Sequence, residues 1–436
     1  MQTYVGGGIA DITPDIGIPL AGYMGKQRNS VNVNDSIYAR VITINKGNEY
    51  FVIISLDLLC VDKSYVKQCT DLIFNQYDIP SSHIFIHATH THSGPGGIMQ
   101  ESSIANKAFP YLNGWIAKDY QLVMDQQKQI IKAVEDSILT LKPCEIKYGE
   151  EKTHGIAQNR NKLDQKFKPK LKLVEFRFET GEKNLLYSFP CHPTILHSDN
   201  YSISADFPGV TSSNLEEYSD INLALFLNGP CGDISTRFTR KDSTFNEVNR
   251  IGKLLSNEVF SLLDKMEKQN VQQMKISNIK VKIPVREFEN ENNLEKRLKE
   301  LEKTYNHKQR QCKSSGELRH LQSKIEGISS TIQVGENIKN IQNVEISIQF
   351  LLLGNIIFIG MPGEIFDETG QEIMSFLDNL NVIIAGNTND HVGYIVPTHY
   401  YKEESYESFM TLFEKESEEL FRDESIKNVQ GMIKNL

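Results

Sequence analysis

Short apolar runs rich in β-branched and aromatic residues alternate, along nearly the whole chain, with stretches whose apolar residues recur every three or four positions. The first pattern fits a buried strand and the second an amphipathic helix. Together they predict an α/β protein of mixed α+β layers, its β-sheets flanked by helices. Strands are expected at 41–44, 50–56, 84–88, 171–178, 185–189, 223–227, 276–283, 344–353, 356–359 and 382–385. Helices are expected at 62–76, 116–141, 208–217, 246–266, 365–377 and 404–421, several with Asp or Pro near the start. The longest apolar runs, 51–56 and 350–353 continued through 356–359, fall far short of the roughly 20 residues a membrane-spanning helix needs.

One segment breaks the alternation. Residues 289–329 are strongly charged, with Leu294, Leu298, Leu301 and Tyr305 on one helical stripe and Leu318, Leu321, Ile325 and Ile328 on another. The turn-like Lys313-Ser314-Ser315-Gly316 separates them, so 289–329 reads as a helical hairpin inserted within a single domain covering 1–436. Its narrow stripes suit a solvated hairpin resting on the main body, an arm for homo-oligomerisation, or a lid over a substrate entrance.

Composition narrows the function classes. The 436 residues carry 47 Lys and Arg against 56 Asp and Glu, a net charge of -9. That balance argues against nucleic acid as a partner, because such affinity rests on neutralising phosphates with Lys and Arg. A chain of this length builds its core without disulfides. Its six cysteines, Cys60, Cys69, Cys144, Cys191, Cys231 and Cys312, form no C-x-x-C pair and read as free thiols in a reducing compartment. The opening MQTYVGGGIADITP has neither the basic nor the apolar region of a secretory signal, so the expected location is cytoplasmic.

Four stretches carry candidate chemistry, each following an expected strand. His87-Ala88-Thr89-His90-Thr91-His92-Ser93-Gly94-Pro95-Gly96-Gly97 places His90 and His92 two residues apart where a strand yields to a Gly/Pro loop. Both imidazoles can serve one metal, or one can serve a metal and the other a substrate; polar loop caps are the plain alternative. His192 follows the strand 185–189 in Cys191-His192-Pro193, with His197 five residues on. Glu364, in Met361-Pro362-Gly363-Glu364, can complete a His-His-carboxylate metal set or simply favour a helix N-terminus. Ser235 ends the Gly-rich turn Asn228-Gly229-Pro230-Cys231-Gly232-Asp233-Ile234-Ser235, where backbone N–H groups can approach a ligand.

These stretches, in this order, resemble the catalytic region of the neutral/alkaline, non-lysosomal ceramidases, zinc amidases that cleave ceramide to sphingosine and fatty acid. The likeness runs from Gly8-Ile9-Ala10-Asp11-Ile12-Thr13-Pro14 and Gly22-Tyr23 through the His90 to Gly97 block, Asn159-Arg160, His192, Gly232 to Ser235 and Pro362-Gly363-Glu364. It continues to Gly393-Tyr394 and Tyr406-Glu407, and so spans almost the entire chain. The resemblance implies a zinc ion held by His90, His192 and Glu364 with a tyrosine, Tyr394, or its neighbours Tyr400 and Tyr401. It further implies oxyanion stabilisation by His92 and Arg160, and a catalytic Ser235 that attacks or positions water. Two departures stand out: Ser235 is followed by Thr236-Arg237 where the family continues Pro-Asn, and Cys191 and Pro193 replace small and apolar neighbours of the second histidine. Secreted family members also carry a C-terminal β-sandwich domain, so this chain reads as the catalytic region alone.

The expected function is hydrolysis of a linear N-acyl amide, with ceramide as the family substrate. Two other readings stand beside it: a cytosolic zinc amidase or deacylase for small polar N-acyl compounds, and a non-catalytic zinc-binding scaffold that uses the hairpin as its interaction surface.

Overall fold

The structure, a computed structural model, describes residues 2–434 except 26, 163–166 and 312–314. The expected layered α/β architecture is present, built on two sheets. Strands β1 (Thr3–Asp11), β2 (Tyr38–Lys46), β3 (Glu49–Leu56), β4 (Ile84–Ala88), β5 (Lys142–Lys152), β6 (Lys170–Phe178), β7 (Lys183–Phe189) and β8 (Ile221–Asn228) join in the order β8-β7-β6-β5-β1-β2-β3-β4. A four-stranded sheet follows the order β9 (Met274–Pro284), β10 (Asn343–Leu353), β11 (Ile356–Gly360) and β12 (Asn381–Ala385). Most neighbours are antiparallel, but β3/β4, β7/β8 and β11/β12 are parallel. Each parallel pair requires a crossover, supplied by helices α1 (Lys63–Tyr77), α3 (Asp206–Glu216) and α7 (Asp367–Phe376).

The large sheet bends where β1 meets β5, since they share only the pairs Tyr4–Pro143 and Val5–Lys142. Bending lets residues from both halves and from the small sheet, among them Phe51, Phe85, Phe176, Leu225, Leu351 and Phe358, bury one another in a shared cluster. Helices α1 and α2 (Tyr120–Leu139) cover one outer face through Tyr65, Ile73, Ile130 and Val134. Helix α3 and α4 (Phe245–Leu263) cover the other half through Phe207, Ile251 and Leu255.

The bend also brings strand ends together. Asn228 N donates to His87 Nε2 at 3.0 Å and its Nδ2 to Thr89 O at 3.2 Å, joining β8 to β4. Gly386 N donates to Asn228 O at 2.9 Å and Ala88 N to Asn387 O at 3.1 Å, so the end of β12 locks onto both. The loops after β4, β7, β8, β11 and β12 therefore share one neighbourhood.

Three expectations are corrected. Strands β1 and β5 were not expected, because the first contains Gly6-Gly7-Gly8 and the second is charged and half-exposed, neither of which shows period-two apolarity. The glycines are there for space: a Cβ at Gly6 or Gly8 would lie 1.9 Å from the carbonyl oxygen of Ser137 or Ala133 in α2. The expected helix 404–421 is instead two short helices, Tyr400–Glu403 and Tyr406–Met410, a turn, and α8 (Ser417–Ile433). The break occurs because Thr411 Oγ1 donates to Tyr394 O at 2.8 Å while Leu412 and Phe413 are buried in the core.

The charged segment forms helices α5 (Glu291–Arg310) and α6 (Ser315–Ile338), whose Leu294, Leu298, Leu301 and Ile328 meet around Phe409. Helix α6 continues beyond 329, and its Val334 and Ile338 join the cluster that covers the small sheet. Cys312 and the turn residues Lys313 and Ser314 lie outside the described residues; the other five cysteines are free thiols. No helix among the described residues is long and apolar enough to cross a membrane.

Because Gly8 has backbone rather than a movable side chain opposite it, Gly8→Ala should lower folding stability by about 3 kcal/mol. A chemical denaturation curve with an unchanged midpoint would contradict this close packing of β1 on α2.

Candidate metal centre

His90, His92, His192 and Glu364 reach one point from three strand ends. His90 takes a left-handed backbone conformation, φ 73°, uncommon for a non-glycine residue, and its N–H bonds to Leu58 O at 2.9 Å. His192 is tied to the turn after β8, where its N–H donates to Ile234 O at 3.0 Å and a β-bridge joins it to Ser235. Glu364 follows β11 and pairs with Tyr394 in a short parallel ladder.

Each histidine spends its Nδ1 on the main chain: His90 on Leu59 O at 2.8 Å, His92 on Gly22 O at 2.9 Å, His192 on Cys231 O at 2.6 Å. A carbonyl oxygen only accepts, so Nδ1 carries the proton and Nε2 presents its lone pair. The three imidazoles offer ligand atoms within 4.8 Å of one another, a group that could hold a metal ion. Glu364 adds a carboxylate oxygen 2.7 Å from His192 Nε2 and 3.5 Å from His90 Nε2. The Nε2 atoms of His90 and His92 are buried without a hydrogen-bond partner. Converging lone pairs and a carboxylate repel one another unless a cation is shared, so this donor set fits a metal, and backbone-anchored Nδ1 atoms are the usual support for imidazole ligands.

Electrostatics follow the same geometry. Burial lowers the pKa of His192 and holds that of His92 well below the usual histidine range. Burial opposes charge on Glu364, yet His90 and His192 hold its carboxyl well below the usual carboxylate range. Gly22 is required beside this set, because a Cβ there would lie 2.7 Å from His92 Nδ1 and its φ is 98°.

The other expected residues take distinct positions. Tyr394 brings its hydroxyl to 3.4 Å from His192 Nε2. Arg160 donates through Nη2 to that hydroxyl at 3.1 Å and to Gly232 O at 2.6 Å, while Nε pairs with the buried Glu407 at 2.6 Å. Tyr401 is directed elsewhere, its hydroxyl donating to Phe413 O at 2.9 Å, and Tyr400 packs on Phe366 and His399. Ser235 is buried behind His192, with its Oγ accepting from Arg237 N at 3.3 Å. Asp233, in the same turn, is structural: its carboxylate accepts from Asn159 Nδ2 and from Asp367 N at 2.9 Å, and burial raises its pKa to about 7.

A cavity of about 380 Å³ opens beside the histidines, lined by His92, His192, Arg160, Tyr111, Tyr394 and Tyr406 among others. His92 faces this space, whereas His90 lies behind it. Clefts of about 460 and 470 Å³ elsewhere, around Arg177 and around Lys172, contain no histidine.

One residue at the centre was missed from sequence. His391, after β12, places Nε2 3.8 Å from Glu364 Oε1 and holds Nδ1 against Asn387 Oδ1 at 2.9 Å. Its only signal was position, two residues before Gly393-Tyr394 and past another buried strand. Glu407, which neutralises Arg160, lies in the segment expected as the helix 404–421 and was matched to the family there without a role of its own.

A layered α/β fold that gathers imidazoles and a carboxylate from its strand ends defines a protein with a buried centre that could hold a metal ion. The sequence matches the family described as neutral/alkaline non-lysosomal ceramidase, N-terminal, over residues 4–240, more than half of the chain, and the protein belongs to this family. The neutral ceramidase of Pseudomonas aeruginosa is 24% identical over 273 residues, which are 56% of this chain and 39% of that relative. The matched region is thus well under half of the relative's length. The crystal structure of neutral ceramidase from Pseudomonas aeruginosa superposes with a TM-score of 0.78 at 17% identity, covering 98% of this chain and 74% of that one. A ceramidase complexed with C2 gives 0.76 at 18% identity, covering 97% and 74%.

His192→Ala removes one imidazole and leaves Glu364 under-compensated. The purified variant should hold less than half the wild-type metal content by elemental analysis; full occupancy would exclude His192 from the ligand set.

Proposed function

We propose that the protein is a zinc-dependent hydrolase of linear N-acyl amides, of the ceramidase kind. The observation that carries this reading is the convergence of His90, His192 and Glu364, with the Tyr394 hydroxyl beside them, next to a cavity that His192, Tyr394, His92 and Arg160 line. In this reading those first four residues hold the metal. Zinc there would supply Lewis-acid chemistry, activating water at a pKa of about 7 and polarising a carbonyl, the two tasks amide hydrolysis sets at neutral pH.

The surrounding residues divide the remaining work. The resemblance assigns His92 to the developing oxyanion, but its Nδ1–H donates to Gly22 O, leaving Nε2 as an acceptor. We therefore assign His92 to accepting a hydrogen bond at Nε2 from the attacking nucleophile and so orienting it. Stabilising the negative carbonyl oxygen falls to Arg160 and Tyr406, which line the same cavity. Burial raises the Tyr406 phenol, so it remains a proton donor at neutral pH. Glu407 keeps the Arg160 guanidinium in place by a two-partner grip with Gly232 O. Ser235 is proposed to act from behind His192, orienting water or attacking itself.

Two outcomes test this reading. Chelation should abolish hydrolysis of a short-chain ceramide and of N-acyl amide substrates and lower the melting temperature, with zinc restoring both; activity that survives verified metal removal would overturn it. Ser235→Ala should retain metal while kcat falls about 100-fold, and an unchanged kcat would make Ser235 a turn residue only.

A further inference from the structure

The cavity beside the histidines is walled by tyrosine rings and polar groups together, and its charges are unevenly placed. Among the described residues no Ala, Val, Leu, Ile or Phe lines it, and Met24 is the one flexible apolar side chain there. One end carries two cations, Arg237 and Arg240, with Thr194, His197 and Ser198. Arg240 is aimed by the carbonyls of Thr194 and Ile195, the latter at 3.2 Å, and by His197 Nε2 at 2.6 Å. Both arginines act on the phenol of Tyr23, whose ring lies 5.0 Å from His92 and 6.1 Å from His197, so this cationic end adjoins His92. Helix α6 contributes another part of the wall, where Glu326 acts on Tyr406 alongside Gln322 and Ser323.

A ligand that enters this space displaces water from the guanidinium groups. An alkyl chain offers them nothing in return, whereas a carboxylate makes paired, charge-assisted hydrogen bonds with a planar guanidinium fork. The arginines, His92 and His192 line one cavity of about 380 Å³. Anion and scissile amide must therefore lie within a few bonds of each other.

We propose that the substrate is a small N-acyl amino acid, its carboxylate on Arg237 and Arg240 and its amide at His92 and His192. The proposal rests on the amide-hydrolysis reading above and specifies its substrate. The reaction balances with water alone: the C–N bond breaks, the water oxygen joins the acyl carbon as a carboxylate, and both water protons go to nitrogen, releasing an ammonium-form amino acid.

The test compares metal-loaded protein on N-hexanoylglycine, N-hexanoylethanolamine and a short-chain ceramide. The glycine conjugate should exceed the ethanolamide in kcat/KM by about 10-fold or more, and Arg237→Gln should bring that ratio to about 1, mainly through KM. Arg237→Lys should restore part of the ratio. A wild-type ratio near 1, an unchanged ratio in a folded Arg237→Gln, or faster cleavage of the ceramide would overturn the proposal while amide hydrolysis stands. A phosphorylated ethanolamide preferred over the glycine conjugate would also overturn it, by reassigning the anion. If no amide is cleaved, the hydrolase reading fails, and calorimetry decides the subsite alone. Binding of N-hexanoylglycine in preference to the ethanolamide supports it, and equal or absent binding overturns it. The same wild-type comparison decides the matter if Arg237→Gln does not fold.

Discussion

A carboxylate buried among imidazoles is the constraint on which this structure turns. Glu364 is only 4% exposed, and a charge so placed is tolerated only with close compensation. A cation shared with His90 after β4 and His192 after β7 would supply it, whereas Glu364 itself follows β11 of the other sheet. The site therefore cannot form within either sheet alone. The bend between β1 and β5 and the lock of β12 onto β4 and β8 are what bring the three donors to one point.

A second tier of contacts holds the donors in a usable state. Main-chain carbonyls of Gly22, Leu59 and Cys231 take the Nδ1 protons, which orients each ring and directs Nε2 inward. Arg160 connects the turn at Gly232, the Tyr394 hydroxyl and Glu407, so one guanidinium couples the loop after β8 to the chain's last quarter. Loss of Glu407 would leave that charge buried without its partner. The broken helix around residues 404–421 is thus explained by the site: Glu407 has to turn inward, and Thr411 has to reach Tyr394.

The inserted hairpin is more than solvated surface. Its stripes meet one another around Phe409, its far end enters the core over the small sheet, and its middle supplies Gln322, Ser323 and Glu326 to the cavity. A segment that looks amphipathic in isolation thereby contributes to both packing and the polarity of the binding space.

Much of this was legible in the chain. The strands ending at Ala88, Phe189 and Gly360 announce themselves by apolar runs, and a histidine or acid within four residues past each is a local signal. His90, His92, His192 and Glu364 could accordingly be named from sequence, together with the layered α/β class. The rest depends on distance in space. His391 and Glu407 carry no local mark, because their significance lies in which buried charge they face, and β1 was hidden because its glycines answer to a helix more than 120 residues away. Sequence by itself determined which segments become strands and helices and which residues are chemically able to bind a metal, since those follow from side-chain type and period. Only the tertiary structure decided that the Nε2 lone pairs converge on one carboxylate and that a short, cationic cavity adjoins them. Convergence is set by the bend and register of two sheets, which no local pattern encodes.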